Sequence, residues 1–323
     1  MAITTSPPVA PPPGSPQGRI SALHLGAAWR LQARLKPWTT AGLALAAVTV
    51  LVMFGQSLWR IAQGEADAAL RLGMLGGLIG FASTALGALP ALVLQRLDQR
   101  AEDSLLGLAA GMMLAASSFS LLLPGIEAGS ALTGNASLGA GVVITGMALG
   151  VLLMLGLDQF TPHEHPHGGA CGPGFERINR VWLFVFAIIL HNLPEGMAIG
   201  VSFSQGDLGV GVPLTAAIAL QNLPEGLAVA MALRAIGLGA WPAVAVAAFS
   251  GVMEPVGALL GLGLSSGLTL AYPVGLGLAA GAMIFVVSHE VIPETHRNGH
   301  QTLATLGLMT GFALMTVLDT ALG

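Results

Sequence analysis

Nine long apolar runs separated by short polar segments constrain the fold of this chain more than any other feature. A membrane-spanning helix needs about 20 apolar residues, whereas the sequence of a membrane-spanning strand is about ten residues of alternating polarity. Only 9% of the 323 residues are charged and 54% are hydrophobic, too few charges for a soluble surface of this size. The sequence predicts an all-α, polytopic integral membrane protein with transmembrane helices at 38–59, 72–94, 103–123, 138–157, 181–203, 210–233, 241–264, 268–290 and 302–322.

Residues 1–37 differ in kind from the apolar runs. Prolines cluster between residues 7 and 16 among Ser, Thr and Gly, which is typical of a disordered segment. We interpret 1–37 as a disordered, cytoplasmic, Pro-rich leader. The run at 38–59 is interpreted as an N-terminal transmembrane helix, because Trp38 and Trp59 flank it as interfacial anchors do.

The basic residues are distributed unevenly between the two sides of the predicted membrane. With nine helices, the N-terminal side holds ten of the 12 Lys and Arg residues and the other side holds only Arg60 and Arg71. The positive-inside rule then predicts a cytoplasmic N-terminus and a C-terminus outside. The net charge of −4 provides no positively charged surface for nucleic acid, so nucleic acid is not an expected partner. The expected surrounding is the lipid bilayer.

Three glutamates lie deep within the apolar runs, where a charge costs roughly 2.5–3.5 kcal/mol and usually has a function. Glu195 and Glu225 belong to a repeated phrase, LHNLPEGMAIGVSF at 190–203 and LQNLPEGLAVAMAL at 220–233. Glu254 lies in the next run, within MEPVG. The duplication indicates that two neighbouring helices meet at the same kind of site.

The spacing within the repeated phrase places several donor atoms together. His191 and Glu195 are four residues apart, as are Gln221 and Glu225, so each pair shares one helix face. Together with the adjacent Asn192 and Asn222, and with Glu254, they form a ligand set for a divalent first-row cation near the membrane midplane. The alternative is that protonated glutamates join the helices by hydrogen bonds. Copper(I) prefers thiolate ligands, and the one cysteine, Cys171, lies in a loop away from this ligand set, so copper(I) is not favoured.

Four motifs give the sequence a family resemblance: HNLPEG at 191–196, QNLPEG at 221–226, MEPVG at 253–257 and SHEVIPETH at 288–296. They resemble the signatures of the ZIP (Zrt-/Irt-like protein) family of divalent-metal transporters, in particular its GufA-like bacterial members. The resemblance extends over residues 70–323. It implies a ZIP-like transporter core of eight helices, to which the helix at 38–59 is an addition.

The resemblance also implies a mid-membrane binuclear metal site. The first position would use His191, Glu195, Gln221, Glu225 and a thioether from Met113, with Met112 as the alternative donor. The second position would use Asn192, Glu195, Asn222, Glu225 and Glu254. Many relatives look to have histidine where Gln221 stands, and an amide is a weaker ligand than an imidazole.

Other polar residues are candidates for the route by which metal reaches or leaves this site. The loop at 160–180 is either a His-rich metal-binding loop or a solvated loop, and it contains His163, His165 and His167. The remaining candidates lie at predicted helix ends, and the alternative for each is a solvated helix terminus without a role in the route: Asp103, Asp158, Asp207, His289, Glu290, His300 and Asp319.

We expect uptake of divalent metal ions into the cytoplasm, with Zn²⁺ foremost and Cd²⁺, Fe²⁺ and Mn²⁺ as further substrates. The metal is the transported substrate, and no catalytic cofactor is expected. No P-loop motif occurs, so transport without ATP is expected. The plasma (inner) membrane of a bacterium is the expected location, and a homodimer is one alternative for the assembly.

Two alternatives belong to other functional classes. The first is a membrane-embedded, metal-dependent hydrolase, but the H-E-x-x-H motif of a zinc protease fails because position 293 is proline. The second is a metal-sensing receptor without flux.

Overall fold

A computed structural model describes residues 30, 33–63, 67–160, 163–165, 169–171, 180–265 and 269–322. The helices of this part of the chain are α1 (Pro37–Ala62), α2 (Ala68–Ala88), α3 (Gln99–Ala115), α4 (Leu123–Thr133), α5 (Ala136–Phe160), α6 (Arg180–Phe203), α7 (Leu208–Ala235), α8 (Ala240–Ser250), α9 (Met253–Ser265), α10 (Ala271–Val286), α11 (Ile292–Thr295) and α12 (Gln301–Leu322). A 3₁₀ turn at Leu89–Leu92 follows α2. Two short strands, β1 (His163–His165) and β2 (Gly169–Cys171), pair antiparallel.

The predicted all-α membrane architecture is confirmed. Among the described residues, eight helical segments are long and apolar enough to cross a membrane. Helix α1 forms where the first run predicts it and has 26 residues, but it is not one of those eight segments. A ninth span therefore stays a prediction, and most of the predicted leader lies outside the described residues.

Two spans continue beyond their predicted ends because each accommodates a proline through a π-helical segment. The segment Ala116–Leu122 joins α3 to α4, and Val287–Val291 joins α10 to α11. Leu123 donates its N–H to Ser118, five residues back, and Ile292 donates to Val287 in the same way. Proline lacks an N–H and clashes with the carbonyl four residues earlier, so the wider turn lets each helix pass its proline.

The run at 241–264 forms two helices instead of the single helix that the sequence predicts. Helix α8 ends at Ser250, and α9 begins at Met253 with Glu254 in its first turn. Pro255 explains the interruption, because its ring would clash with the carbonyl of Gly251 in a continuous helix. Glu254 therefore lies at a helix N-terminus, where the helix dipole stabilises a negative charge.

Helices α2, α6, α7 and α9 pack together around the buried glutamates. Helix α6 packs along α9, α2 packs along α7, and α2 also contacts α6 and α9. Glycine permits the closest approach: a Cβ on Gly196 of α6 would collide with the backbone carbonyl of Glu254. Small residues at such contacts allow helix backbones to approach within a membrane. The glutamates are thereby enclosed by helix backbones on several sides.

Candidate metal centre

The predicted mid-membrane ligands are all buried and lie on three packed helices, and His191, Glu195 and Glu225 come within ligand distance of one another. Helix α6 supplies His191, Asn192 and Glu195, α7 supplies Gln221, Asn222 and Glu225, and α9 supplies Glu254. Each of these seven side chains is at most 2% exposed. The equivalent polar faces of α6 and α7 therefore lie toward each other, as the spacing within the repeated phrase predicts.

Glu195 and Glu225 lie at the centre of this group. The Gln221 amide donates a hydrogen bond to Glu195 Oε1 at 2.6 Å. His191 Nε2 lies 3.9 Å from Glu225 Oε2, beyond hydrogen-bond distance. His191, Glu195 and Glu225 each offer one ligand atom within 4.8 Å of the others. This separation suits three donors that surround one cation.

The polar atoms of the site are poorly satisfied by the protein itself. Within the described residues, nine buried side-chain nitrogen or oxygen atoms have no hydrogen-bond partner, and all of them belong to these seven side chains. They include both ring nitrogens of His191 and both carboxylate oxygens of Glu225. A buried polar group without a partner costs about 1–3 kcal/mol. Hydrogen bonds between the helices therefore leave six carboxylate or amide oxygen atoms without a partner, and a cation could coordinate these oxygens together with one ring nitrogen of His191.

Helix α2 contributes contacts that the sequence reasoning missed. The Thr84 hydroxyl donates a hydrogen bond to Glu254 Oε1 at 2.7 Å. The Gly80 carbonyl accepts a long hydrogen bond from Asn222 Nδ2 at 3.5 Å. The one available signal was the polar pair Ser83 and Thr84 within an otherwise apolar run.

The two methionines predicted as alternative thioether ligands of the first position both lie on α3. Met112 and Met113 are both fully buried, and α3 packs against α7. Burial does not distinguish the two methionines, so the assignment of Met113 stays a prediction.

Three of the predicted route residues form a second cluster. Asp158 at the end of α5 lies with His289 and Glu290 of the π-helical segment Val287–Val291, and their ligand atoms fall within 4.8 Å of one another. His289 Nε2 is 3.9 Å from Asp158 Oδ1. All three side chains are partly exposed, in contrast to the buried site.

Two cavities border this second cluster. One of about 650 Å³ is lined by Asp103, Ala187 and Glu290 among other residues. The other, of about 20 Å³, is lined by Asp158, Ala187, Leu190 and Glu290. Ala187 and Glu290 border both cavities, and Leu190 precedes His191 in the chain.

Asp103 and His300 form a pair in the structure. Asp103 is only 1% exposed, so the alternative interpretation of this residue as a solvated helix end is wrong. It accepts hydrogen bonds from Asn298 at 2.9 Å and pairs with His300 Nδ1 at 2.8 Å. This contact links α3 to the segment that precedes α12.

The other predicted route residues are separate from these clusters. Asp319 accepts a hydrogen bond from Ser120 at 2.6 Å, and Asp207 caps the N-terminus of α7 by accepting from the N–H of Gly209. His163 and His165 lie in β1, whereas His167 lies outside the described residues. A metal-binding role for this loop stays a prediction.

Comparison with known proteins identifies the family of the chain. The family model described as ZIP zinc transporter matches residues 162–319. The zinc transporter ZIPB of Bordetella bronchiseptica is 61% identical over 302 residues, covering 94% of this chain and 98% of that protein. The zinc transporter GufA of Myxococcus xanthus is 44% identical over 254 residues, covering 78% of this chain and 99% of that protein.

A more distant relative also matches most of the chain. The human zinc transporter ZIP11 is 28% identical over 334 residues, covering 77% of this chain and 97% of that protein. The resemblance read from the four sequence motifs is thus confirmed by relatives that match along almost their whole length. The chain belongs to the ZIP zinc transporter family, as one of its GufA-like bacterial members.

Proposed function

We propose that this chain carries Zn²⁺ across the plasma (inner) membrane of a bacterium into the cytoplasm, through the buried site of α6, α7 and α9. The observation that carries the proposal is the set of six buried side-chain oxygen atoms without hydrogen-bond partners, next to the His191 ring, whose nitrogens also have no partner. A metal cation is the cargo that these oxygens and one imidazole nitrogen would coordinate, because imidazole and carboxylate oxygens together suit divalent first-row ions. The relatives that match the chain along its length are named as zinc transporters.

The charge of the site suits one or two divalent ions. Glu195, Glu225 and Glu254 together carry up to three negative charges in a buried region, where isolated charge is strongly unfavourable. One or two divalent cations bring that total near zero. The first ion would bind His191, Glu195, Gln221, Glu225 and Met113, and the second would bind Asn192, Glu195, Asn222, Glu225 and Glu254. The mixture of imidazole, oxygen and thioether donors also admits Cd²⁺, Fe²⁺ and Mn²⁺.

The route to the cytoplasm would pass through the two cavities. A released ion meets the cluster of Asp158, His289 and Glu290 and then the larger cavity beside Asp103. Two charges that move down a potential of 100 mV, negative inside, release about 4.6 kcal/mol, at about 2.3 kcal/mol per charge. This energy supports roughly a thousandfold accumulation, since each tenfold step costs about 1.4 kcal/mol. Transport therefore needs no ATP.

Membership of a transporter family makes the chain a membrane transporter and not an enzyme. Purified protein in liposomes loaded with a zinc-sensitive dye tests the proposed transport directly. We expect zinc to enter the liposomes at a rate that saturates with external zinc and depends on the protein. Zinc binding without entry would favour the metal-sensing alternative and would refute transport. Hydrolysis of a peptide without zinc entry would contradict both transport and the metal-sensing alternative.

The orientation of the chain can be tested with its own cysteine. Cys171 is the only cysteine, and it lies in the segment between α5 and α6. Four predicted spans precede Cys171, so a cytoplasmic N-terminus predicts that a membrane-impermeant maleimide labels Cys171 only from the cytoplasmic side. In a Cys171→Ser background, Leu322→Cys near the end of α12 should label only from outside. Labelling of both positions from the same face would refute the proposed orientation.

A further inference from the structure

Helix α2 supplies none of the proposed metal ligands, yet it contacts two of them through one helical turn. Gly80 and Thr84 are four residues apart and share one face of α2. The Thr84 side chain is 2% exposed, so its hydroxyl group needs a hydrogen-bond partner within the protein. The partner that it reaches at the shortest distance is a carboxylate of the metal centre.

The hydroxyl of Thr84 fixes one oxygen of Glu254. It lies 2.7 Å from Glu254 Oε1 and 3.4 Å from the carbonyl oxygen of Gly80, so its proton is directed to the carboxylate. Glu254 Oε2 has no hydrogen-bond partner and is left to coordinate an ion. Glu254 is thus held by a donor that does not itself bind metal.

The backbone of Gly80 acts on the same region in two ways. A Cβ at this position would collide with Glu254 Oε2, so the absence of a side chain makes room for the carboxylate. The carbonyl oxygen of Gly80 accepts from Asn222 Nδ2, and this leaves Asn222 Oδ1, which has no hydrogen-bond partner, as the donor atom for an ion. Both contacted ligands belong to the second proposed position and not to the first.

We propose that Thr84, supported by Gly80, is a positioning residue for the second metal ion: it orients the Glu254 carboxylate through its hydroxyl group. This inference rests on the binuclear site proposed above. Groups that orient a ligand typically change metal affinity by about 10–100-fold when they are removed. The first position, which contains neither Glu254 nor Asn222, should be insensitive to the loss of this hydroxyl.

Cadmium binding to the purified protein, measured as bound ions per chain over a range of free Cd²⁺, tests the inference. The parent should bind two ions. Thr84→Val keeps the branched shape and removes the donor, so it should bind the first ion as the parent does and the second about 10–100-fold more weakly. Thr84→Ser keeps the hydroxyl and should restore the binding of the second ion.

A matched control separates orientation from packing. Thr215 on α7 is also buried, but its hydroxyl donates only to the carbonyl of Gly211 in its own helix. Thr215→Val should therefore leave both ions bound as in the parent. Two ions bound by Thr84→Val with parent affinity would overturn the inference and leave the binuclear site standing. So would equal loss in Thr84→Val and Thr84→Ser, whereas a parent that binds one ion would overturn the binuclear site itself.

Discussion

Replacement of Glu225 by alanine is expected to lower zinc flux in liposomes at least 10–100-fold, because this carboxylate belongs to both proposed ion positions. Neither of its oxygens has a hydrogen-bond partner, and His191 lies 3.9 Å away. Loss of a group that merely orients a ligand costs about 10–100-fold in affinity, and loss of a shared ligand should cost no less. The measurement is the initial rate of zinc entry at equal amounts of reconstituted protein.

Two companion variants make this result specific. Glu254 belongs to only one proposed position, so Glu254→Ala should lower flux less than Glu225→Ala does. Glu127 on α4 is exposed and lies far along the chain from the motifs, so Glu127→Ala should transport at the parent rate. Parent-like flux through Glu225→Ala, with a similar protein content in the liposomes, would refute the ligand assignment.

Substitution of Gly196 by alanine is expected to destabilise the protein by about 1–3 kcal/mol, as overpacking of a tight core does. The added methyl group would collide with the backbone carbonyl of Glu254 and push α9 away from α6. A backbone atom cannot move aside as a flexible side chain can. Thermal unfolding of the purified protein in detergent should show a lower midpoint temperature, and zinc flux should fall because Glu254 is displaced.

Gly141 on α5 provides the matched control for this substitution. A Cβ at Gly141 would meet no atom within 4 Å. Gly141→Ala should therefore unfold at the parent temperature or slightly above it, because alanine favours a helix by about 1 kcal/mol over glycine. An unchanged midpoint for Gly196→Ala would contradict the close packing of α6 and α9.

The apolar runs predict the positions of the helices but not how each helix accommodates proline. Pro124 and Pro293 follow π-helical segments, and their helices continue to Thr133 and Thr295. Pro255, in contrast, accompanies a break between α8 and α9. Other prolines lie inside helices that are not interrupted, and a hydropathy pattern does not distinguish these three outcomes.

The buried site follows from the sequence more completely than its surroundings do. The four-residue spacing of His191 and Glu195 and the repeat thirty residues later are sufficient to bring the donors of α6 and α7 together. The contact between Thr84 and Glu254 joins residues 170 positions apart. No local spacing predicts such a pair, because it depends on the packing of α2 against α9.

The continuous path of the chain through the π-helical segment at Ala116–Leu122 also bears on the surrounding lipid. The segment Gln99–Thr133 has 35 residues, which extends about 50 Å at 1.5 Å per residue. The hydrocarbon core of a bilayer is only about 30 Å thick. This helix must tilt or protrude, and the choice depends on the length of the acyl chains around it. Ser120, which donates a hydrogen bond to Asp319, lies within the helix, so a change in the tilt of this helix would act directly on its contact with α12.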